Sequence, residues 1–62
     1  MITQDMTLLQ IAETGEGAIE VLHRYDQPAG TCLLCTHLFD TIESVAVRYG
    51  LDLLEVLAAL NA

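Results

Sequence analysis

Four stretches of the chain place apolar side chains at the spacing of a helix face, separated by short polar or glycine-containing breaks. Leu8, Ile11 and Ala12 form the first. Thr7 stands three residues ahead of Gln10, where its hydroxyl can accept from the first-turn backbone while the glutamine reaches back. This spacing predicts a helix over Leu8 to Thr14, ended by Gly15 and Gly17, because glycine tolerates the left-handed conformation found just past helices. In the second stretch Ala18, Ile19, Val21, Leu22 and Tyr25 make an inward stripe, and Glu16, Glu20, His23 and Arg24 fall largely on the solvated side.

Asp26, Gln27, Pro28, Ala29 and Gly30 break that pattern and predict a connecting loop, since proline lacks an amide donor and disfavours helix in the residue before it. Asp40 with Glu43, and Asp52 with Glu55, have the side-chain-to-backbone capping arrangement in acidic form. Each stands before a further stripe: Ile42, Val45, Ala46 and Tyr49, stopped by Gly50, and then Leu53, Val56, Leu57 and Leu60. Ile2 and Thr3 read as a short extended arm. No internal repeat has the length of a solenoid unit. The expected fold is all-α: a compact bundle of four to five short helices with a short extended N-terminal arm, forming a single helical domain over residues 1–62. A chain of this length buries only about 60% of its unfolded surface and supports one core.

Composition narrows the functional classes. Hydrophobic residues make up 53% of the chain and charged residues 18%, enough apolar area to offset the entropy of ordering and too little charge for a disordered segment. Lysine is absent, and two arginines face nine acidic residues for a net charge of −7. Such a balance repels phosphate backbones and anionic lipid surfaces, so neither nucleic acid nor membrane is expected as a partner. No apolar run approaches the roughly 18 residues of a membrane span, and Met1 to Gln10 lacks the basic start and apolar stretch of a signal peptide, so the expected location is cytoplasmic.

The distinctive chemistry lies in Thr31-Cys32-Leu33-Leu34-Cys35-Thr36-His37, a C-x-x-C motif directly after the Pro28 to Gly30 break. In a reducing compartment, paired cysteines serve more often in metal binding, catalysis or redox sensing than as static staples. On a helical turn, residues three apart lie about 5–6 Å from each other, within disulfide reach. Thr31 or Gly30 is the expected cap of such a turn. Cys32 would then sit near unpaired N–H groups as the better nucleophile, with Cys35, one turn deeper among Leu33, Leu34, Leu38 and Phe39, as the resolving thiol. Two inert buried thiols, or a stabilising disulfide worth about 2 kcal/mol in so short a loop, are the plain structural alternatives.

Metal binding is the chemical rival. Cys32 and Cys35 can offer two thiolates to zinc or iron, and His37 and His23 would have to converge on them by folding to complete four ligands. Otherwise His23 reads as a polar-face residue, and His37 as an exposed loop histidine or a positive charge favouring the Cys35 thiolate. Tyr25 and Tyr49 complete apolar stripes with their hydroxyls toward solvent, and the four capping carboxylates need no catalytic role. No βαβ pattern of the thioredoxin kind accompanies the cysteines, which leaves enzyme status open.

The chain as a whole resembles the hybrid-cluster-protein-associated redox disulfide domain family. The carrying residues are Ile2-Thr3-Gln4-Asp5-Met6-Thr7, the Ala18 to Tyr25 helix, the Cys32 and Cys35 pair, Asp40-Thr41-Ile42-Glu43, and Tyr49-Gly50-Leu51-Asp52 through Asn61, which together span nearly the entire sequence. That resemblance implies a free-standing or fused helical module with its two cysteines at the functional position, associated with redox or iron–sulfur enzymes. The leading expectation is therefore a cofactor-free thiol–disulfide module serving a protein partner of redox or metal-cluster type. The alternatives are a metal-binding module using the same pair, and an interaction module with inert thiols. Surface Val47, Leu51 and Leu54 would offer that last module a homodimer contact.

Overall fold

Twice in this chain a threonine precedes an apolar helical stripe, at positions 7 and 41, and the architecture grows from that coincidence. The computed structural model describes Met1–Ala62. Its helical segments are α1 (Leu8–Ala12), α2 (Glu16–Arg24), α3 (Asp26–Ala29), α4 (Leu33–Thr36), α5 (Ile42–Tyr49) and α6 (Leu53–Leu60), with no strand. The fold is an all-α bundle, as the hydrophobic pattern predicts. Its radius of gyration is 9.9 Å, against about 10.6 Å for a folded chain of this length.

Thr7 and Thr41 are the N-caps of α1 and α5, and they face one another across an isolated antiparallel bridge. Each hydroxyl accepts the amide of the third residue of its own helix: Gln10 N–H at 3.2 Å and Ser44 N–H at 3.1 Å. The first two amides of each helix go instead to the segment leading into the other. Leu8 N–H donates to the Asp40 carbonyl at 3.0 Å and Leu9 N–H to the Leu38 carbonyl at 2.9 Å. Reciprocally, Ile42 N–H donates to the Met6 carbonyl at 3.0 Å and Glu43 N–H to the Gln4 carbonyl at 3.1 Å. A helix start leaves such donors without intrahelical partners, and here two starts satisfy each other. In α1 the capping box is complete, with Gln10 Oε1 accepting Thr7 N–H at 2.9 Å.

Several expected boundaries shift for identifiable reasons. Asp40 does not cap α5. Its carboxylate is committed to His37, and Thr41 occupies the cap because the bridge holds it extended. Asp52 caps α6 as expected, accepting Glu55 N–H at 3.2 Å. Helix α1 stops at Ala12 rather than Thr14, because the Thr14 hydroxyl and amide both turn back onto the Ile11 carbonyl. Gly17 falls inside α2 and not at a break. The expected loop at 26–30 is the single turn α3: Pro28 is its third residue, where a missing amide leaves no intrahelical bond unmade. Gly50 ends α5 as expected, with φ at 68°, a conformation that strains any residue bearing a Cβ.

Side chains from all the longer helices meet in one cluster: Ile2, Leu8, Ile11, Ala18, Val21, Leu22, Leu33, Ile42, Val45, Val56 and Leu60. Ile2 enters it without a strand partner, because the Asn61 side-chain amide pairs with both of its backbone groups. Asn61 Oδ1 accepts Ile2 N–H at 2.8 Å, and Asn61 Nδ2 donates to the Ile2 carbonyl at 3.0 Å and to the Leu57 carbonyl at 3.0 Å. One end of the chain thus caps the other. Tyr25 is half-buried and donates to Glu55 Oε1 at 3.2 Å; desolvation first, and the Glu55 charge next, push its phenol pKa above 10.0. Val47 and Leu54 remain exposed on α5 and α6. No helix is long and apolar enough to cross a membrane.

The reciprocal start of α1 and α5 predicts non-additive energetics. Thr7→Ala and Thr41→Ala should each cost about 1 kcal/mol in denaturant unfolding, and the double variant should depart from their sum by at least about 0.5 kcal/mol. Strict additivity would mean that the two caps act as separate helix ends.

Candidate functional site

The C-x-x-C turn is held by its non-cysteine residues. Leu33, the first residue between the cysteines, is wholly buried in the core, and Leu34 packs half-buried against it. Upstream, Asp26 gathers the approach. Its backbone carbonyl accepts Gly30 N–H at 2.8 Å and Thr31 N–H at 3.2 Å, while its Oδ1 reaches seven residues ahead to accept Leu33 N–H at 3.0 Å. Gly30 makes this return possible with a left-handed φ of 75°. The remaining Asp26 oxygen, Oδ2, lies 3.0 Å from His23 Nδ1. Sequence reasoning placed Asp26 in a breaking loop and missed this role. No local signal marks it, because the carboxylate accepts an amide seven residues on, outside the spacing of an N-cap.

Neither Thr31 nor Gly30 caps α4. Cys32 itself is the N-cap, in extended conformation and with no capping bond from its side chain. Its carbonyl accepts Cys35 N–H at 3.2 Å, Thr36 N–H at 3.1 Å and the Thr36 hydroxyl at 2.9 Å. The Thr31 and Thr36 hydroxyls lie 3.5 Å apart. Cys32 and Cys35 form a disulfide with their Cα atoms 5.2 Å apart, the separation expected across one helical turn.

Exposure reverses the expected depth of the two cysteines. Cys32 is half-buried, between half-buried Thr31 and buried Leu33, whereas Cys35 is exposed beside exposed Thr36. The apolar neighbours that suggested a deep Cys35 do not cover it. Leu33 points into the core, and Phe39 stands 77% exposed.

His37 is not an exposed loop histidine: it is 9% exposed, with both ring nitrogens engaged. Nδ1 lies 2.7 Å from Asp40 Oδ2, and Nε2 meets the Tyr49 hydroxyl, whose ring stands edge-on at 5.4 Å. An ionised carboxylate only accepts, so Nδ1 carries the proton toward Asp40, while the Tyr49 hydroxyl can serve Nε2 as donor or as acceptor. The Tyr49 hydroxyl, expected to reach solvent, instead ties the end of α5 to the residue that closes α4.

The four potential ligands Cys32, Cys35, His23 and His37 are not brought together. The sulfurs are joined, His37 has no free nitrogen, His23 pairs with Asp26, and no group of three or more Cys, His, Asp or Glu side chains converges on a cation position. The one cleft, about 420 Å³, runs between α2 and the end of α6, lined by residues such as Gly17, Val21, Arg24 and Ala59, with neither cysteine among them. The disulfide lies outside this cleft. What this arrangement can do chemically is exchange with a thiol that arrives from outside.

Asp26→Ala removes the acceptor of Leu33 N–H and is expected to destabilise the fold by about 1–3 kcal/mol, with faster hydrogen exchange at the Leu33 amide. Asp26→Asn keeps an oxygen at that position and should restore most of the protection. Unaltered Leu33 exchange in Asp26→Ala would show that the carboxylate does not hold the turn.

Compared with known protein families, with curated proteins and with solved structures, the chain matches none.

Proposed function

We propose that this chain is a small thiol–disulfide redox or redox-sensing module that works in the cytoplasm through Cys32 and Cys35, as the accessory of a protein partner of redox or metal-cluster type. The observation that carries the reading is the Cys32–Cys35 disulfide, with Cys35 exposed, on a turn anchored by Leu33 and Asp26. Because the anchors are not the sulfurs, the bond can open and close while the turn stays docked. Closing a loop of this size adds only about 2 kcal/mol of chain-entropy stabilisation, a weak reason for the bond to serve as a staple.

A protein partner is favoured over a small substrate because the cysteines line no cleft. With a net charge of −7 and arginines only at positions 24 and 48, the module suits a partner whose surface around its own thiols is basic. No family model matches the chain; the resemblance read from its sequence would add iron–sulfur enzymes to the partners proposed.

The test is a glutathione titration of protein purified without oxygen, alkylated and read by intact mass. A reversible two-electron step with its midpoint inside the cytosolic glutathione range, about −220 to −320 mV, is expected. A disulfide that stays closed at the most reducing end, or protein that retains a stoichiometric metal through desalting, would contradict the proposal.

A further inference from the structure

Thiol–disulfide exchange is directional at the atomic level: the incoming thiolate must bond to one sulfur on the side opposite the other, and which sulfur it can reach decides the intermediate. In the Cys32–Cys35 pair the two approaches are unequal. Cys32 is half-buried, on a stretch of backbone held by the Leu33 N–H bond to Asp26 and by the Thr36 hydroxyl bond to the Cys32 carbonyl. An attack on Cys35 comes from the side of exposed Cys35 and exposed Thr36.

We propose that Cys35 is the entry sulfur and Cys32 the resolving one, the reverse of the order that their positions along the motif suggest. This rests on the redox reading and adds to it the identity of the covalent intermediate. In reduction, a thiolate of the partner bonds to Cys35 Sγ as the Cys32–Cys35 bond breaks, and the electron pair of that bond leaves on Cys32 Sγ. The partner's second thiol, as thiolate, then attacks the partner's own sulfur in the mixed disulfide. The partner's disulfide forms and Cys35 leaves as thiolate. Two electrons have passed from a dithiol to the Cys32–Cys35 pair, and the two thiolates take up the protons that the dithiol released. Run in reverse, Cys35 thiolate attacks a partner disulfide, and Cys32 then attacks Cys35 Sγ to close the ring and release the partner.

The assignment fits how the turn is built. The Cys32 carbonyl receives the Cys35 and Thr36 amides and the Thr36 hydroxyl, so the turn holds both cysteines in register when the sulfurs part. Cys35, the more exposed of the two residues, bears the adduct. A resolving thiol that stays in place next to an exposed mixed disulfide re-forms the ring rapidly by proximity.

The native disulfide form, mixed with excess glutathione, quenched in acid within milliseconds and mapped by tandem mass spectrometry, reads the intermediate directly. Glutathione is expected on Cys35, with Cys32 as free thiol, in roughly tenfold excess or more over the opposite adduct. A second measurement removes ring closure: with oxidised glutathione, the Cys32→Ser variant should react through Cys35 faster than the Cys35→Ser variant reacts through Cys32. Adducts divided evenly, or predominantly on Cys32, would overturn the order of attack while leaving a redox module in place. Absence of any adduct, with the disulfide intact at cytosolic poise, would overturn the redox reading itself.

Discussion

Two helix starts, each with donors it cannot satisfy alone, are joined in this molecule so that each supplies the other's acceptors. The carbonyls of Gln4 and Met6 receive the first amides of α5, and those of Leu38 and Asp40 receive the first amides of α1, with Thr7 and Thr41 back to back at the centre. A buried or half-buried backbone donor left without a partner costs free energy comparable to a lost hydrogen bond. The contact therefore ties the starts of α1 and α5 to one another. It also fixes the path of the intervening chain, which must leave α1, run through α2 and return to Leu38. The cysteine turn lies on that return, directly ahead of Leu38 and Asp40, so the same constraint that assembles the bundle delivers the disulfide to its surface.

From there the site is positioned by residues that do not take part in sulfur chemistry. Leu33 commits the turn to the core, Asp26 gathers the chain from Gly30 to Leu33, and His37 ties the end of the turn to Asp40 and Tyr49. A small domain usually needs a staple when its core is limited. In this one the closing of the chain by Asn61 on Ile2 and the reciprocal helix starts perform that task through hydrogen bonds between residues distant in sequence. The disulfide spans only three positions, so its chain-entropy contribution is small.

Much of this was legible in the residues. Period-3.6 stripes located four helices, and Thr7 with Gln10, Asp52 with Glu55, and Gly50 named the ends they make. The C-x-x-C spacing put the two sulfurs within bonding reach. What could not be read is whatever depended on a partner far along the chain. Asp40 and Thr41 are equally plausible caps by sequence, and only the pairing of Thr41 with Thr7, and of Asp40 with His37, decides between them. Asp26 looks like a turn former until Leu33 N–H arrives at its carboxylate. The relative exposure of Cys32 and Cys35 does not follow from the local sequence, because apolar neighbours along the chain need not be neighbours in space: Leu33 is buried and Phe39 exposed. His37 failed for the related reason that both of its partners, Asp40 and Tyr49, come from the second half of the chain.

A redox role for the pair requires that the scaffold stand without the disulfide. Hydrogen exchange of the oxidised and the fully reduced protein, compared amide by amide, tests this most directly. Protection should persist in the reduced form at Leu8, Leu9, Ile42 and Glu43, the donors of the reciprocal helix starts, and change only around residues 30–37. Loss of protection at those four amides on reduction would contradict the account and make the disulfide a structural requirement of the fold.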